Sequence, residues 1–232
     1  MDFANRTVVI TGGTGALGAA VVGGLIARGA RCVVPYVHEV EMQHFAHRAD
    51  KAVSLVAVRD LADEADVDKV YAQAGAALWG SIQIAGGFAM GKVADTGKAA
   101  LMAQLEQNLV SCFLCCRAAV NAMRAQGGRI VNVAARPALE PRAGAGMSAY
   151  AIAKSGVAAL TVALAEEVAG VGILVNAVAP SIMDTPANRA TMPKADHAAW
   201  PKVEEVAATI LFLASPDNRV TRGAIVPVYG KS

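Results

Sequence analysis

Eight residues near the start of the chain, Thr11-Gly12-Gly13-Thr14-Gly15-Ala16-Leu17-Gly18, form a glycine-rich turn. The β-branched run Thr7–Ile10 precedes it, and the segment Leu17–Arg28 that follows has apolar residues at helical spacing and stops at Gly29. Glycine permits a tight turn and lets backbone N–H groups approach a phosphate at the N-terminus of a helix. A strand, this turn and a helix in this order predict a binding site for the pyrophosphate of a dinucleotide.

The alternation of strand and helix continues to the end of the chain. The further predicted strands are Arg31–Val37, Ser54–Val58, Ser81–Ala85, Arg129–Ala134, Ile173–Ala179 and Ala224–Val228, and the further helices are Glu64–Leu78, Lys98–Ala125, Ser148–Ala169 and Val203–Ala214. Such alternation implies right-handed crossovers and a parallel sheet. No linker divides the chain, so we predict one α/β domain over residues 1–232, a doubly wound parallel sheet in the three-layer Rossmann arrangement.

Composition restricts the partners of the chain. Hydrophobic residues make up 55% and charged residues 17%, which provides enough apolar material for a sheet buried on both faces. The net charge is +2 and no block of Lys or Arg occurs, so we expect no nucleic-acid partner. Three of the four cysteines crowd into Cys112–Cys116 without a His pair at ligand spacing, and we expect reduced core thiols rather than a metal site.

The first residues, Met1–Arg6, lead directly into a strand and lack the charged start and apolar centre of a signal peptide. No uninterrupted apolar run approaches the ~18–20 residues that cross a bilayer. We therefore expect a cytoplasmic protein without a membrane partner, a setting that suits reduced cysteines.

A second motif, Tyr150-Ala-Ile-Ala-Lys154, lies in the predicted helix Ser148–Ala169. Together with Thr11–Gly18 it resembles the short-chain dehydrogenase/reductase family, and the resemblance covers nearly the whole chain. It implies an NAD(P)-dependent oxidoreductase in which Tyr150, Lys154 and Asn108 are catalytic, and in which Asn108 anchors a water that links Lys154 to solvent. The cofactor-binding residues that we assign are Gly12, Thr14, Gly15, Ala16, Leu17, Gly18, His38, Asp60, Leu61, Ala85, Gly86, Gly87, Tyr150, Lys154, Pro180, Met183 and Thr185.

The chemistry of the Tyr–Lys pair supports this assignment independently. Residues four apart in a helix share a face, so the ammonium of Lys154 is expected beside the phenol of Tyr150. A free tyrosine has a pKa of about 10, and proton transfer near neutrality requires that value to fall by ~2–3 units. A nearby ammonium and an oxidised nicotinamide both favour the phenolate and so lower the pKa.

One position departs from the family pattern. The family normally has a catalytic Ser just after the fifth strand, where this chain has Ala135, and alanine cannot donate a hydrogen bond to a substrate oxygen. The chain could therefore be a dinucleotide-binding sensor without catalytic activity. It could also be an ordinary carbonyl reductase in which Arg136 or Ser148 replaces the Ser.

A third alternative is a substrate that needs one proton donor only. The quinonoid dihydropteridine reductase branch of the family also lacks the Ser. Three segments resemble that branch, Ala85–Gly91, Gly146–Tyr150 and Asp184–Trp200. In a quinonoid pterin, hydride enters a conjugated C=N system and the charge spreads over the ring. We therefore expect an NAD(P)H-dependent reductase of a small conjugated imine or carbonyl compound, with Tyr150 as proton donor.

The choice between NAD(H) and NADP(H) stays open. Val37 ends the predicted second strand, at the position where NAD-specific folds hold an acidic residue. His38 could assist a 2′-phosphate, but no arginine is present and Glu39 follows.

The long segment Ser181–Pro201 is expected to be irregular, either a substrate lid or a variable surface loop. The family resemblance further implies a homodimer or homotetramer, formed through the helices near Cys112 and Leu160.

Overall fold

Seven parallel strands form one sheet in the computed structural model, which describes every residue from 1 to 232. The strands are β1 Thr7–Thr11, β2 Arg31–Tyr36, β3 Val53–Ala57, β4 Leu78–Gln83, β5 Gly128–Val133, β6 Ile173–Pro180 and β7 Ile225–Val228. Their order across the sheet is β3-β2-β1-β4-β5-β6-β7, so the winding reverses between β1 and β4. The predicted doubly wound α/β fold is confirmed, and ligands of such sheets bind beyond the carboxyl ends of the strands at this reversal.

The chain has nine α-helices. They are α1 Ala16–Ile26, α2 Glu39–His44, α3 Glu64–Ala74, α4 Lys98–Leu105, α5 Ser111–Met123, α6 Arg136–Leu139, α7 Ser148–Glu167, α8 Pro186–Thr191 and α9 Val203–Ala214. Of these, α1 and α9 pack on one face of the sheet and α3, α5 and α7 on the other. Residues Glu106–Val110 form a π-helical turn that joins α4 to α5. The sequence predicts these two helices and the turn as one continuous helix.

The core consists of two apolar clusters, one on each face of the sheet. Successive side chains of a strand point to opposite faces. Val9 accordingly belongs to the cluster with α3, α5 and α7, whereas Val8 and Ile10 belong to the cluster with α1 and α9. The three cysteines of α5 lie in the first cluster, and all four cysteines of the chain are free and buried. The expectation of core thiols is thereby confirmed.

One predicted helix and one predicted irregular segment differ from the structure for backbone reasons. The helix predicted over Glu64–Leu78 ends at Ala74, because Gly75 adopts a positive φ of 63°. The segment Ser181–Pro201 is not wholly irregular, since it contains α8. Thr185 is the N-cap of this helix and Pro186 its first residue, which is the position where proline fits a helix best.

Two helical stretches meet a length and hydropathy criterion for a membrane span, contrary to the expectation from uninterrupted apolar runs. They are Lys98–Met123 and Ser148–Glu167. Both contribute buried residues to the core, among them Met123, Val157 and Leu164. Packing on the sheet therefore accounts for their apolar side chains, as it does for core helices that pass the same criterion.

Candidate active site

The glycine-rich turn between β1 and α1 leaves the N-terminus of α1 open. Gly12 has a φ of +66°, and a Cβ there would lie 2.8 Å from the backbone N of Ala85. A Cβ at Gly18 would overlap the carbonyl oxygen of Gly12. Gly15 is the N-cap of α1 without a side-chain cap, and both Gly15 and Ala16 are exposed. The first N–H groups of α1 are accessible to an anion, so these residues fit a dinucleotide pyrophosphate.

Two other residues assigned to this turn have different surroundings. Leu17 is 4% exposed and its side chain lies in the core cluster of α1 and α9, so it can contact a cofactor only through its backbone. Thr14 Oγ1 donates a hydrogen bond to Glu41 Oε2 of α2 at 2.7 Å. Glu41 has no role predicted from sequence, because nothing in the glycine-rich motif indicates that α2 reaches the turn.

Thr11, at the end of β1, fastens the turn to the neighbouring strand β4. Its hydroxyl donates to Gln83 Oε1 at 3.1 Å and accepts a hydrogen bond from the backbone N of Ala85 at 3.2 Å. These bonds fix the start of the Ala85-Gly86-Gly87 segment beside the glycine-rich turn. The glycine-rich motif predicts no separate role for Thr11.

Tyr150 and Lys154 lie one helical turn apart near the start of α7. Lys154 Nζ is 5.9 Å from the centroid of the Tyr150 ring and donates a hydrogen bond to the carbonyl of Val133 at 2.8 Å. Lys154 is 5% exposed, whereas Tyr150 is half-buried and its hydroxyl has no partner within the chain. The phenol is thus available to a substrate, and the ammonium has donors to spare.

Burial shifts the pKa values of these two groups in opposite directions. Desolvation raises the pKa of Tyr150 to about 12 and lowers that of Lys154 to about 8. At neutral pH the free chain therefore holds a protonated phenol next to a protonated amine. The acidification of Tyr150 that the sequence analysis requires is not present without a further positive charge at the site.

Asn108 lies in the π-helical turn, and its side chain borders Gly86 as Lys154 does. Its Nδ2 donates to the carbonyls of Gly87 at 2.9 Å and Gln104 at 3.0 Å, while its Oδ1 is buried without a partner. A Cβ at Gly86 would lie 2.5 Å from this Oδ1 and 3.4 Å from Lys154 Nζ, so both groups border Gly86. A buried acceptor without a partner is unusual and indicates a place for a water or ligand. π-helical turns are frequent at functional sites.

The position of the missing Ser is occupied by a buried methyl group. Ala135 is 6% exposed and is the N-cap of α6. The guanidinium of Arg136 is engaged, since its Nε donates to Glu140 at 2.8 Å and its Cζ lies 5.0 Å from the centroid of the Tyr229 ring. Ser148 is the first residue of α7 and is partly exposed.

The residues assigned to the adenosine half lie beyond the ends of β2 and β3. β2 ends at Tyr36, one residue earlier than predicted, so Val37 stands outside the strand and is 42% exposed. His38 and Asp60 are exposed, and Asp60 Oδ1 accepts the backbone N–H of Ala62 at 2.9 Å. Leu61 is 8% exposed and belongs to the core, so its side chain is not available to a ligand.

The residues assigned beside the nicotinamide follow β6. Pro180 is the last residue of β6 and is buried, and Met183 packs against the core cluster of α1 and α9. Thr185 Oγ1 accepts the backbone N–H of Asn188 at 3.2 Å, which closes the first turn of α8. Asn188 in turn donates from its side chain to the Met183 carbonyl at 2.8 Å, so Met183 and Thr185 are both tied to Asn188 at the start of α8.

Apolar side chains frame the mouth of the site on the β4 side. Phe88 lies edge-on to Tyr150, with ring centroids 5.0 Å apart and an interplanar angle of 87°, and it is 58% exposed. Met90 is 64% exposed, and its Cε would lie 3.6 Å from a Cβ at Gly146. The backbone N of Gly91 donates to the Gly146 carbonyl at 2.8 Å, which holds this segment against the start of α7.

Known proteins resemble this chain in sequence and in structure. The model of the short chain dehydrogenase family matches residues 6–196. A cis-4-hydroxycyclohexanecarboxylate dehydrogenase of Sinomonas cyclohexanicum is 36% identical over 98% of this chain and 96% of the relative. The crystal structure of levodione reductase has a TM-score of 0.86 and 28% identity, with 98% of this chain and 97% of that chain covered. The structure of ElxO with NADP bound, at 22% identity, has a TM-score of 0.88 over 97% of both chains and shows the fold alone.

The family match spans well over half of the chain and includes the glycine-rich turn, Asn108, Tyr150 and Lys154. The cyclohexane-ring relative covers nearly the full length of both proteins at more than 30% identity. The narrower match to the quinonoid dihydropteridine reductase branch stays a prediction. The chain belongs to the short-chain dehydrogenase/reductase family and is an oxidoreductase that uses a nicotinamide dinucleotide.

Proposed function

We propose that this chain transfers hydride between a nicotinamide dinucleotide and a carbonyl compound or secondary alcohol, with Tyr150 as the proton donor of the reduction. The observation that carries the proposal is the grouping of Tyr150, Lys154 and Asn108 beside Gly86, next to the glycine-rich turn. When bound, the nicotinamide ring supplies or accepts the hydride. The chain orients the substrate and moves the proton.

The protonation states of the free chain suit the reducing direction, and the fall in the Tyr150 pKa that proton transfer requires would come from the positive charge that develops on the nicotinamide. Burial keeps Tyr150 protonated at neutral pH, and its hydroxyl is free to donate to the substrate oxygen. The phenolate left behind lies near the protonated Lys154, which stabilises it. Asn108 Oδ1, which borders the same space as Lys154 Nζ, can hold a water that returns a proton from solvent.

We further propose that the substrate carries an apolar ring. Phe88 and Met90 present exposed apolar surface beside Tyr150, and such surface next to a single polar group is typical of a pocket that orients an apolar ligand. The relative from Sinomonas cyclohexanicum acts, by its name, on a hydroxylated cyclohexane ring. An alicyclic or aromatic ketone or alcohol is therefore the substrate class that these residues favour.

A quinonoid dihydropterin is a second candidate, and Ala135 is the observation that favours it. With a methyl group at the position of the Ser, Tyr150 is the one hydroxyl of the family pair that remains. A conjugated imine accepts hydride without concentrating charge on one oxygen, so it depends less on a second donor.

The test is a substrate panel with both nucleotides, followed by nicotinamide absorbance. The panel contains cyclohexanones and hydroxycyclohexanes with and without a carboxylate, aryl ketones, aldehydes, quinones and quinonoid dihydropterin. We expect turnover of at least one ring ketone or alcohol. Turnover of the pterin alone would select the second candidate. Tight nucleotide binding without oxidation of NAD(P)H or reduction of NAD(P)⁺ by any compound would refute the enzyme and favour a dinucleotide sensor.

We also propose a homo-oligomer formed through α5 and α7, in a cytoplasmic setting that suits the free cysteines. Phe113 on α5 and Ile152 and Val162 on α7 are 51%, 55% and 46% exposed, which is apolar surface that a second copy could cover. Light scattering measures the mass directly. A dimer or tetramer is expected, and Phe113→Lys should shift it towards the monomer, while a monomeric wild-type chain would contradict the proposal.

A further inference from the structure

The carboxylate of Glu41 is fastened to the glycine-rich turn. Thr14 Oγ1 donates to Glu41 Oε2 at 2.7 Å, and the backbone N–H of His38 donates to Glu41 Oε1 at 3.3 Å. Glu41 is the third residue of α2, so the first turn of this helix carries a negative charge onto the loop that fits a pyrophosphate. No step of the proposed reaction uses this carboxylate.

The carboxylate lies where the adenosine half of a dinucleotide begins. In doubly wound sheets the ribose of that half lies near the end of the second strand, where an acidic side chain binds its hydroxyls. Here β2 ends at the uncharged Tyr36. A Cβ at Gly13 would lie 2.7 Å from Val34 Cγ1, so the glycine-rich turn lies directly against β2. Glu41 thus places an acidic group between the glycine-rich turn and the end of β2, where the strand itself has none.

We propose that Glu41 sets the nucleotide preference of the site and that the chain selects NAD(H) over NADP(H). The inference rests on the dinucleotide site of the proposed function. Each oxygen of Glu41 accepts one hydrogen bond within the chain, and a carboxylate has further lone pairs for the ribose hydroxyls. A 2′-phosphate in the same place would meet a like charge at short range.

The two arginines that follow β2 and β3 most closely, Arg48 and Arg59, contact other groups. Arg59 faces Asp63 at 3.9 Å and Asp66 at 3.5 Å. Arg48 donates to two backbone carbonyls in the C-terminal half of α2. His38, which the sequence analysis assigned as an aid to a 2′-phosphate, contributes its backbone N–H to the Glu41 carboxylate. The local charge thus favours a ribose without a phosphate.

Titration of the protein with NADH and NADPH tests the inference without any substrate. The dissociation constants are measured by nucleotide fluorescence at pH 8 and fixed ionic strength. We expect the wild-type chain to bind NADH roughly tenfold or more tightly than NADPH. Glu41→Gln keeps an acceptor for Thr14 and removes the charge. This variant should tighten NADPH binding by roughly tenfold and change NADH binding by less than about threefold.

The matched control is Glu39→Gln, which removes a carboxylate two residues earlier on the same helix. Glu39 is exposed and has no hydrogen bond to the glycine-rich turn, so the ratio of the two constants should not change. Equal binding of both nucleotides by the wild type, or an unchanged ratio in Glu41→Gln, would overturn this inference and leave the proposed function intact. Failure of both nucleotides to bind would overturn both.

Discussion

The two halves of the nucleotide crevice are built differently. On the nicotinamide side the functional groups are buried, with Lys154 5% exposed and Asn108 1% exposed, and each is held by hydrogen bonds to backbone carbonyls. On the adenosine side, His38 and Asp60 are exposed and the charge of Glu41 is held by a single side-chain contact with the turn. Buried groups fix the chemistry, since moving them disturbs the core, whereas single exposed charges can change cofactor preference at little cost to the fold.

The largest expected effect comes from removing the phenol on the buried side. Tyr150→Phe takes away the proton donor and keeps the ring against Phe88, so turnover should fall by about 10³-fold. NADH affinity should stay within about twofold, because the hydroxyl makes no contact within the chain. Tyr229→Phe is the matched control and should retain full turnover. Unchanged turnover of Tyr150→Phe would contradict Tyr150 as the proton donor. It would also contradict the view that the buried nicotinamide side carries the chemistry and the adenosine side only binding.

The burial of Lys154 predicts a pH-dependent stability. Burial lowers the Lys154 pKa from 10.5 to about 8 in the folded chain, so the unfolded chain binds more protons between these values and stability rises with pH in that window. Against Lys154→Met, the wild type should therefore gain about 2 kcal/mol of unfolding free energy between pH 7 and pH 9.5. Denaturant unfolding at the two pH values measures the change. Lys98→Met, at an exposed site, should show no such gain, and a flat difference for Lys154→Met would contradict its burial as an ammonium.

A smaller effect is expected from adding one methyl group to the wall of the buried side. Gly86→Ala places a Cβ 2.5 Å from Asn108 Oδ1, so the Asn108 side chain must shift, whereas Lys154 Nζ at 3.4 Å stays in ordinary contact. Displacements of this size should lower kcat by roughly tenfold. Gly97→Ala adds the same methyl group where nothing lies within 4 Å and should leave kcat unchanged. Equal kcat values for both variants would mean that Asn108 does not take part.

The smallest effect concerns the open mouth of the site. Phe88→Ala removes the ring that packs edge-on against Tyr150, and KM for a ring ketone should rise by roughly three- to tenfold with little change in kcat. Phe212→Ala removes an exposed phenylalanine of α9 and should not alter KM. An unchanged KM for Phe88→Ala would contradict a ring-bearing substrate.

The sequence predicts the nicotinamide side better than the adenosine side. Helical spacing alone places Tyr150 next to Lys154, and alternating patterns predict the strand ends that bring the glycine-rich turn to the same edge. The bond from Thr14 to Glu41 depends on α2, a six-residue helix too short to show an apolar periodicity. The partnerless Oδ1 of Asn108 depends on a π-helical turn, for which the sequence has no simple signal.

The π-helical turn Glu106–Val110 makes the site sensitive to the number of residues in one helix. In an α-helix each residue rotates the chain by about 100° and advances it by about 1.5 Å. Deleting one residue of the turn would therefore shorten the helix very little but swing Asn108 round the axis, away from Gly86. An insertion or deletion in this turn would therefore change the direction in which the Asn108 side chain points. The Asn108 amide would no longer lie beside Lys154, while both helices stayed packed on the sheet.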